Sequence, residues 1–261
     1  MKAELLSITP AFAELLLKSN TANRHVTESH VAYLVKEIKA GRWKVNGDTI
    51  RISKSGLIID GQHRLLAIVR AGVTIESWVV TGLPDDVFDT IDVGKRRSPG
   101  DTLECRGEQN AHRLAAALAL IDKYMTGRVD KSSHYTNSET EALLAKYPTA
   151  RESLITSKSG KGLLLPSVLD ACHYLFTQKD PVMTEVFMDR ILKGVGLEEG
   201  DPWYVLRERL LTNSISNTKL SKAHVMALCI KAWNHARAGR RITKLQLNGV
   251  DGKIGVFPVL Q

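Results

Sequence analysis

The run Leu57-Ile58-Ile59-Asp60-Gly61-Gln62-His63-Arg64-Leu65-Leu66-Ala67-Ile68-Val69-Arg70-Ala71-Gly72 changes its hydrophobic period at Gly61. Before the glycine, three consecutive apolar residues read as a short buried strand. After it, Leu65, Leu66, Ile68 and Val69 recur at helical spacing, and Gly72 stops the pattern. A strand, a tight turn and a helix are therefore expected. Gly61 lets the backbone approach a ligand with no Cβ in the way. The helix opens with amide groups that lack an intrahelical acceptor, at an end that carries partial positive charge. Such an end binds anions.

The polar residues of the turn suit a phosphate ligand. Arg64 offers a planar fork for phosphate oxygens. His63 can donate a hydrogen bond or carry a proton near neutral pH. Asp60, at the strand end, could hold a Mg²⁺ ion or act as a base. A plainer reading makes Asp60 an N-cap and His63 and Arg64 ordinary first-turn residues. Two basic side chains at a helix N-terminus oppose the helix dipole, however, unless an anion offsets them. Phosphate binding is the stronger expectation.

Outward from the turn, the elements alternate up to about residue 97. Glu4–Ile8 reads as a strand, and Thr9-Pro10 as the start of a helix running to about Lys18. A loop follows through Arg24. Thr27 is placed to cap a second helix with Val31, Leu34, Val35 and Ile38 on one face and Gly41 at its end. Residues 48–53 alternate as a strand with Ile50 and Ile52 on one side, and Lys54-Ser55-Gly56 is a turn. Ser77–Thr81 is another strand, and 84–90 a short helix. From Ser98-Pro99 the pattern is helical throughout, with helices near 108–126, 138–146, 150–157, 166–178, 181–193, 202–212 and 221–238. The expected fold class is α+β: a mixed α/β domain over residues 1–97, then an all-α domain over 98–261.

Of the 261 residues, 43% are hydrophobic, enough for packed cores. The net charge is +8, and most of the excess lies beyond residue 103. That balance suggests a polyanionic partner, with DNA the first candidate. Lys95, Arg96 and Arg97, just before Ser98-Pro99, and Arg237, Arg240 and Arg241, at the end of the last helix, are the candidate phosphate contacts. Each cluster has a plain alternative, a solvated linker for the first and dipole-stabilising cations for the second. Cys105, Cys172 and Cys229 form no C-x-x-C pair, so neither a zinc site nor a disulfide framework is implied. Buried free thiols in a reducing cytoplasm are expected instead. No apolar run approaches the roughly 20 residues that span a bilayer, so no membrane partner is expected. A homodimer is left open.

The run D-G-Q-H-R-L-x-A-x-x-x-A-G resembles the nucleotide-binding box of the ParB/sulfiredoxin superfamily. ParB proteins carry G-E-R-R-x-R-A at the equivalent strand–turn–helix, and sulfiredoxins carry G-C-H-R. The D-G-Q-H-R form resembles a ParB-like branch met in phage and DNA-modification contexts. Asn23 and Arg24, ahead of the helix capped by Thr27, resemble the other half of that pocket. The resemblance covers roughly residues 5–82 and implies a ParB/sulfiredoxin-like first domain. It implies binding of ATP or CTP with Mg²⁺ by Asn23, Arg24, Thr27, Gly61, Gln62 and Arg64. Asp60 and His63 would then be the catalytic pair, with Asp60 also the metal ligand, for NTP hydrolysis or phosphoryl transfer in a protein that acts on or with DNA. Gln62 replaces the sulfiredoxin cysteine, which excludes thiol chemistry. It also replaces a ParB glutamate, so CTP-clamp behaviour does not carry over. The alternatives are a non-catalytic DNA-binding module switched by nucleotide and a ParB-like nuclease.

Overall fold

The computed structural model describes the chain apart from residues 21, 22, 24, 91–96, 130, 132, 133, 155–162, 216–219, 248–253 and 255, and the side chains of 88–90. The architecture is mixed α/β, and the chain divides into two compact units, Met1–Arg96 and Arg97–Gln261. The division falls between residues 96 and 97.

The first unit contains β1 (Lys2–Ile8), α1 (Pro10–Leu17), α2 (Glu28–Lys39), β2 (Thr49–Ser53), β3 (Ile58–Asp60), α3 (Gln62–Ala71) and β4 (Ile75–Leu83), followed by a 3₁₀ turn over Asp85–Thr90. The sheet order is β1-β4-β2-β3. β1 runs antiparallel to β4, β4 parallel to β2, and β2 antiparallel to β3. Alternation turns Ile8, Ile50 and Val79 inward, where they pack with Val31, Ile38, Leu65 and Ile68 of the helices. Thr9 caps α1 by accepting from the Phe12 amide at 3.1 Å, with Pro10 at the first helical position. Gly41, at φ +66°, closes α2 as expected, and the Arg42 amide reaches back to the Glu37 carbonyl.

Two strands are longer than their sequence pattern. The ladder runs from Lys2 opposite Thr81 to Ile8 opposite Ile75, so pairing extends β1 and β4 into residues that carry little alternation of their own. The 84–90 helix is of the tighter 3₁₀ kind.

The second unit is helical: α4 (Pro99–Cys105), α5 (Ala111–Met125), α6 (Asn137–Lys146), α7 (Pro166–Thr177), α8 (Pro181–Lys193), α9 (Pro202–Ile215) and α10 (Lys222–Arg237). Ser98 and Asp101 form a capping box that opens α4, a helix shorter than the periodicity could register. The expected 150–157 helix is a 3₁₀ turn over Pro148–Arg151, and 155–157 lie outside the described residues. Trp233 is fully buried and stacks on Phe176 with centroids 4.3 Å apart. Cys172 and Cys229 are buried as expected, but Cys105 is exposed. It is the last residue of short α4.

Asp122 of α5 is a buried charge with four donors. Its carboxylate accepts from Tyr135 at 2.7 Å, Tyr147 at 2.9 Å, Lys146 at 2.9 Å and Arg128 at 3.3 Å. Burial alone would push this carboxyl up. The hydrogen bonds from Lys146, Tyr135 and Tyr147 outweigh burial and hold it below the usual carboxylate range. An acid with a lowered folded value stabilises the fold above its unfolded value and loses that contribution as pH falls through the folded one. Asp122→Asn should therefore cost about 2 kcal/mol at neutral pH. In thermal unfolding followed against pH, the gap between variant and wild type should close below about pH 4.

Candidate functional site

Gly61 sets the geometry of the turn. It lies at φ +104°, ψ 3°, in the left-handed region that glycine favours. A Cβ there would stand 3.1 Å from Ile50 Cγ1 and 3.2 Å from Ile50 Cα. The turn therefore presses against β2, and only glycine meets both conditions without strain. Gly61 is also the N-cap residue of α3, and it has no side chain with which to cap the first turn.

Beside this helix end, two guanidinium groups share one carboxylate. Arg64 Nη2 lies 3.0 Å from Asp60 Oδ2, and Arg51 Nη1 lies 3.8 Å from the same oxygen. Arg64 Nη1 donates to the Thr49 carbonyl at 2.5 Å, and Arg51 Nε to Thr49 Oγ1 at 2.9 Å. Asp60 and Arg64 are mostly buried. The group has a net charge of +1, held at the positive end of α3. Arg51 was not among the expected site residues, because its place beside Asp60 depends on strand pairing. Inward Ile50 and Ile52 place residue 51 on the other face, and the β2–β3 register sets it opposite Asp60.

Gln62 and His63 are both buried and face the loop that precedes α2. Asn20 Nδ2 donates to Gln62 Oε1 at 3.1 Å. Asn23 Nδ2 donates to Asn20 Oδ1 at 2.5 Å and to the Ile58 carbonyl at 2.6 Å. The Thr27 amide donates to His63 Nε2 at 3.0 Å. That nitrogen must carry its lone pair, which leaves the ring proton of neutral His63 on Nδ1. The His30 ring packs 5.2 Å from the His63 ring. Arg70, at the far end of α3, holds Glu28 of α2 through bonds of 2.5 and 3.1 Å.

Asn23, Thr27, Gly61, Gln62, His63, Arg64 and Asp60 thus come together around one helix end, while Arg24 lies outside the described residues. Three of these residues are already engaged within the chain. Thr27 occupies the N-cap position of α2 without a side-chain cap bond, and its amide is given to His63. His63 Nε2 is already engaged as an acceptor, so in this arrangement it is a strut between α3 and the loop. Asp60 does not suit Mg²⁺ here. A single carboxylate already claimed by two guanidinium groups would have to bring a divalent cation against both positive charges.

The candidate DNA contacts are dispersed in role. Lys95 and Arg96 lie outside the described residues. Arg97 is exposed. Arg237 donates to the Gln261 main-chain oxygen at 2.8 Å. Arg241 donates to the Glu199 carbonyl and sits 3.7 Å from the Glu198 carboxylate. All three arginines are exposed, and Arg237 and Arg241 fasten the chain to itself.

Compared with family models, with characterised proteins and with solved structures, the chain gives no match.

Two substitutions test the geometry. Gly61→Ala should destabilise the chain by about 1–3 kcal/mol in chemical denaturation, since it adds both backbone strain and a contact with Ile50. His63→Ala strips the Thr27 amide of its acceptor, at a cost of about 1–3 kcal/mol. It should also accelerate hydrogen exchange at that amide.

Proposed function

We propose that the first unit binds the phosphate groups of a nucleotide at Asp60–Arg64, and that the chain acts on or with DNA as a ParB/sulfiredoxin-like protein. The observation that carries this reading is the pair Arg51 and Arg64 sharing a single carboxylate at the N-terminus of α3. A net positive group at the positive end of a helix is poorly placed for stability alone, and an anion relieves it. Phosphate oxygens match the fork of Arg64, which would exchange its bond to Asp60 for them. Arg51 remains to hold Asp60. The loop tied down by Asn20, Asn23 and Thr27 supplies the opposite wall.

Two outcomes of binding remain in this proposal. In one, nucleotide is a switch for DNA binding. In the other, Asp60, released from Arg64, accepts the proton of an attacking hydroxyl during hydrolysis or phosphoryl transfer, chemistry that rests on positioning and charge neutralisation. The engagement of Asp60 and His63 in ion pairing and loop bracing favours the switch. Among the described residues, no helix is long and apolar enough to cross a membrane. DNA contact draws its support from the net charge of +8 and from exposed Arg97 and Arg240.

Calorimetry with ATP, CTP and GTP, each with and without Mg²⁺ and DNA, tests the proposal. One nucleotide should bind, and Arg64→Ala should weaken it at least about tenfold while circular dichroism stays unchanged. No heat with any of the three nucleotides would overturn the reading. Binding without phosphate release selects the switch.

A further inference from the structure

The second unit contains a cleft that the nucleotide reading leaves unused. It encloses about 410 Å³, within the range of small-molecule sites. Its floor is α10, which presents Lys231 and His235 four residues apart on one face. One wall is set by Lys231, which donates to the Gln246 carbonyl at 2.6 Å beside Leu247. The other is the stretch 256–261, fastened by Asn234. That side chain donates to the Val259 carbonyl at 2.7 Å and accepts from the Gln261 amide at 3.0 Å. The Leu260 amide donates to Tyr124 Oη at 2.7 Å, which anchors the same stretch from behind. The cleft is therefore built from both sides rather than being a gap between loose ends.

Its lining separates by chemistry. Lys231 and Arg240 supply the cationic part with the His235 ring beside them, and among the described residues no aspartate or glutamate side chain lines it. Leu247, Val256 and Val259 supply an apolar part, and both valines are largely exposed to solvent. We propose that this cleft binds a small phosphomonoester, with its phosphate on Lys231, His235 and Arg240 and its organic part against Leu247, Val256 and Val259.

Three features support that class of ligand. Burial, then the positive charges of Lys231 and Arg240, push the His235 imidazole below its usual range. Its neighbourhood is therefore electropositive and partly dry, where an anion gains most. The negative end of α10 contributes only about half a charge, too little to cancel two full cations. Arg237, the next arginine along, is committed to Gln261, and Arg241 to Glu198 and Glu199. Arg240, in contrast, lines the cleft.

The site is independent of Asp60–Arg64, and the test keeps the two apart. The full chain is titrated with phenyl phosphate, inorganic phosphate and chloride at matched ionic strength while the His235 ring resonances are followed by NMR. Phenyl phosphate should shift them saturably and bind roughly tenfold more tightly than inorganic phosphate, because its ring covers the apolar wall. Arg240→Gln should weaken binding about tenfold or more with the other resonances in place. Arg64→Ala should leave it unchanged. The proposal is overturned if chloride reproduces the shift, if Arg240→Gln binds as wild type does, or if Arg64→Ala abolishes the effect.

Discussion

The close approach of Gly61 to Ile50 is the constraint on which the first unit depends. It turns the chain from β3 into α3 within one residue, in a conformation that a side chain would strain. Because the turn is this tight, the first turn of α3 sits directly against β2. Arg64 can then reach both Asp60 and the Thr49 carbonyl, and Arg51 can reach the same carboxylate from the neighbouring strand. A wider turn would move the helix end away from the sheet and separate these groups.

The same turn organises the loop ahead of α2. Gln62 and His63 point away from the ion pair and receive hydrogen bonds from Asn20 and Thr27. Consecutive residues thus divide their work: Asp60 and Arg64 face the sheet edge, while Gln62 and His63 brace the loop. Buried polar groups of this kind are worth most when every partner is present, since a missing partner costs more than a made bond gains. The Asp122 cluster in the second unit follows the same logic with full charges, four donors meeting one buried carboxylate.

Much of the architecture was legible before any coordinates. The change of period at Gly61, the Thr9-Pro10 and Ser98-Pro99 helix starts, and the glycine stops at Gly41 and Gly72 are local signals, set by backbone sterics and capping. The helix over Pro181–Lys193 matches its sequence reading at both ends because Asp180 caps it and Gly194, at φ +74°, ends it. Less legible were β1 and β4, whose ends are fixed by each other. Of the site, the members Asp60, Gly61, Gln62, His63 and Arg64 could be picked out as one contiguous run. Arg51 and Asn20 could not, because their relation to that run exists only across strand pairing and loop closure.

The sequence by itself determined where a strand meets a helix, that a glycine must stand between them, and which basic residues lie at that helix end. These follow from short-range rules: side-chain period, φ preference and the helix dipole. Tertiary structure decided which groups those residues touch. It set Arg51 beside Asp60, gave Nε2 of His63 to the Thr27 amide, and bonded Arg237 and Arg241 to main-chain oxygens on the surface while Arg240 was left lining a cleft. The physical reason is range. A charge or a hydrogen-bonding atom acts over a few ångströms in space, and residues 9 to 42 positions apart come that close only when the sheet and the packed helices have formed.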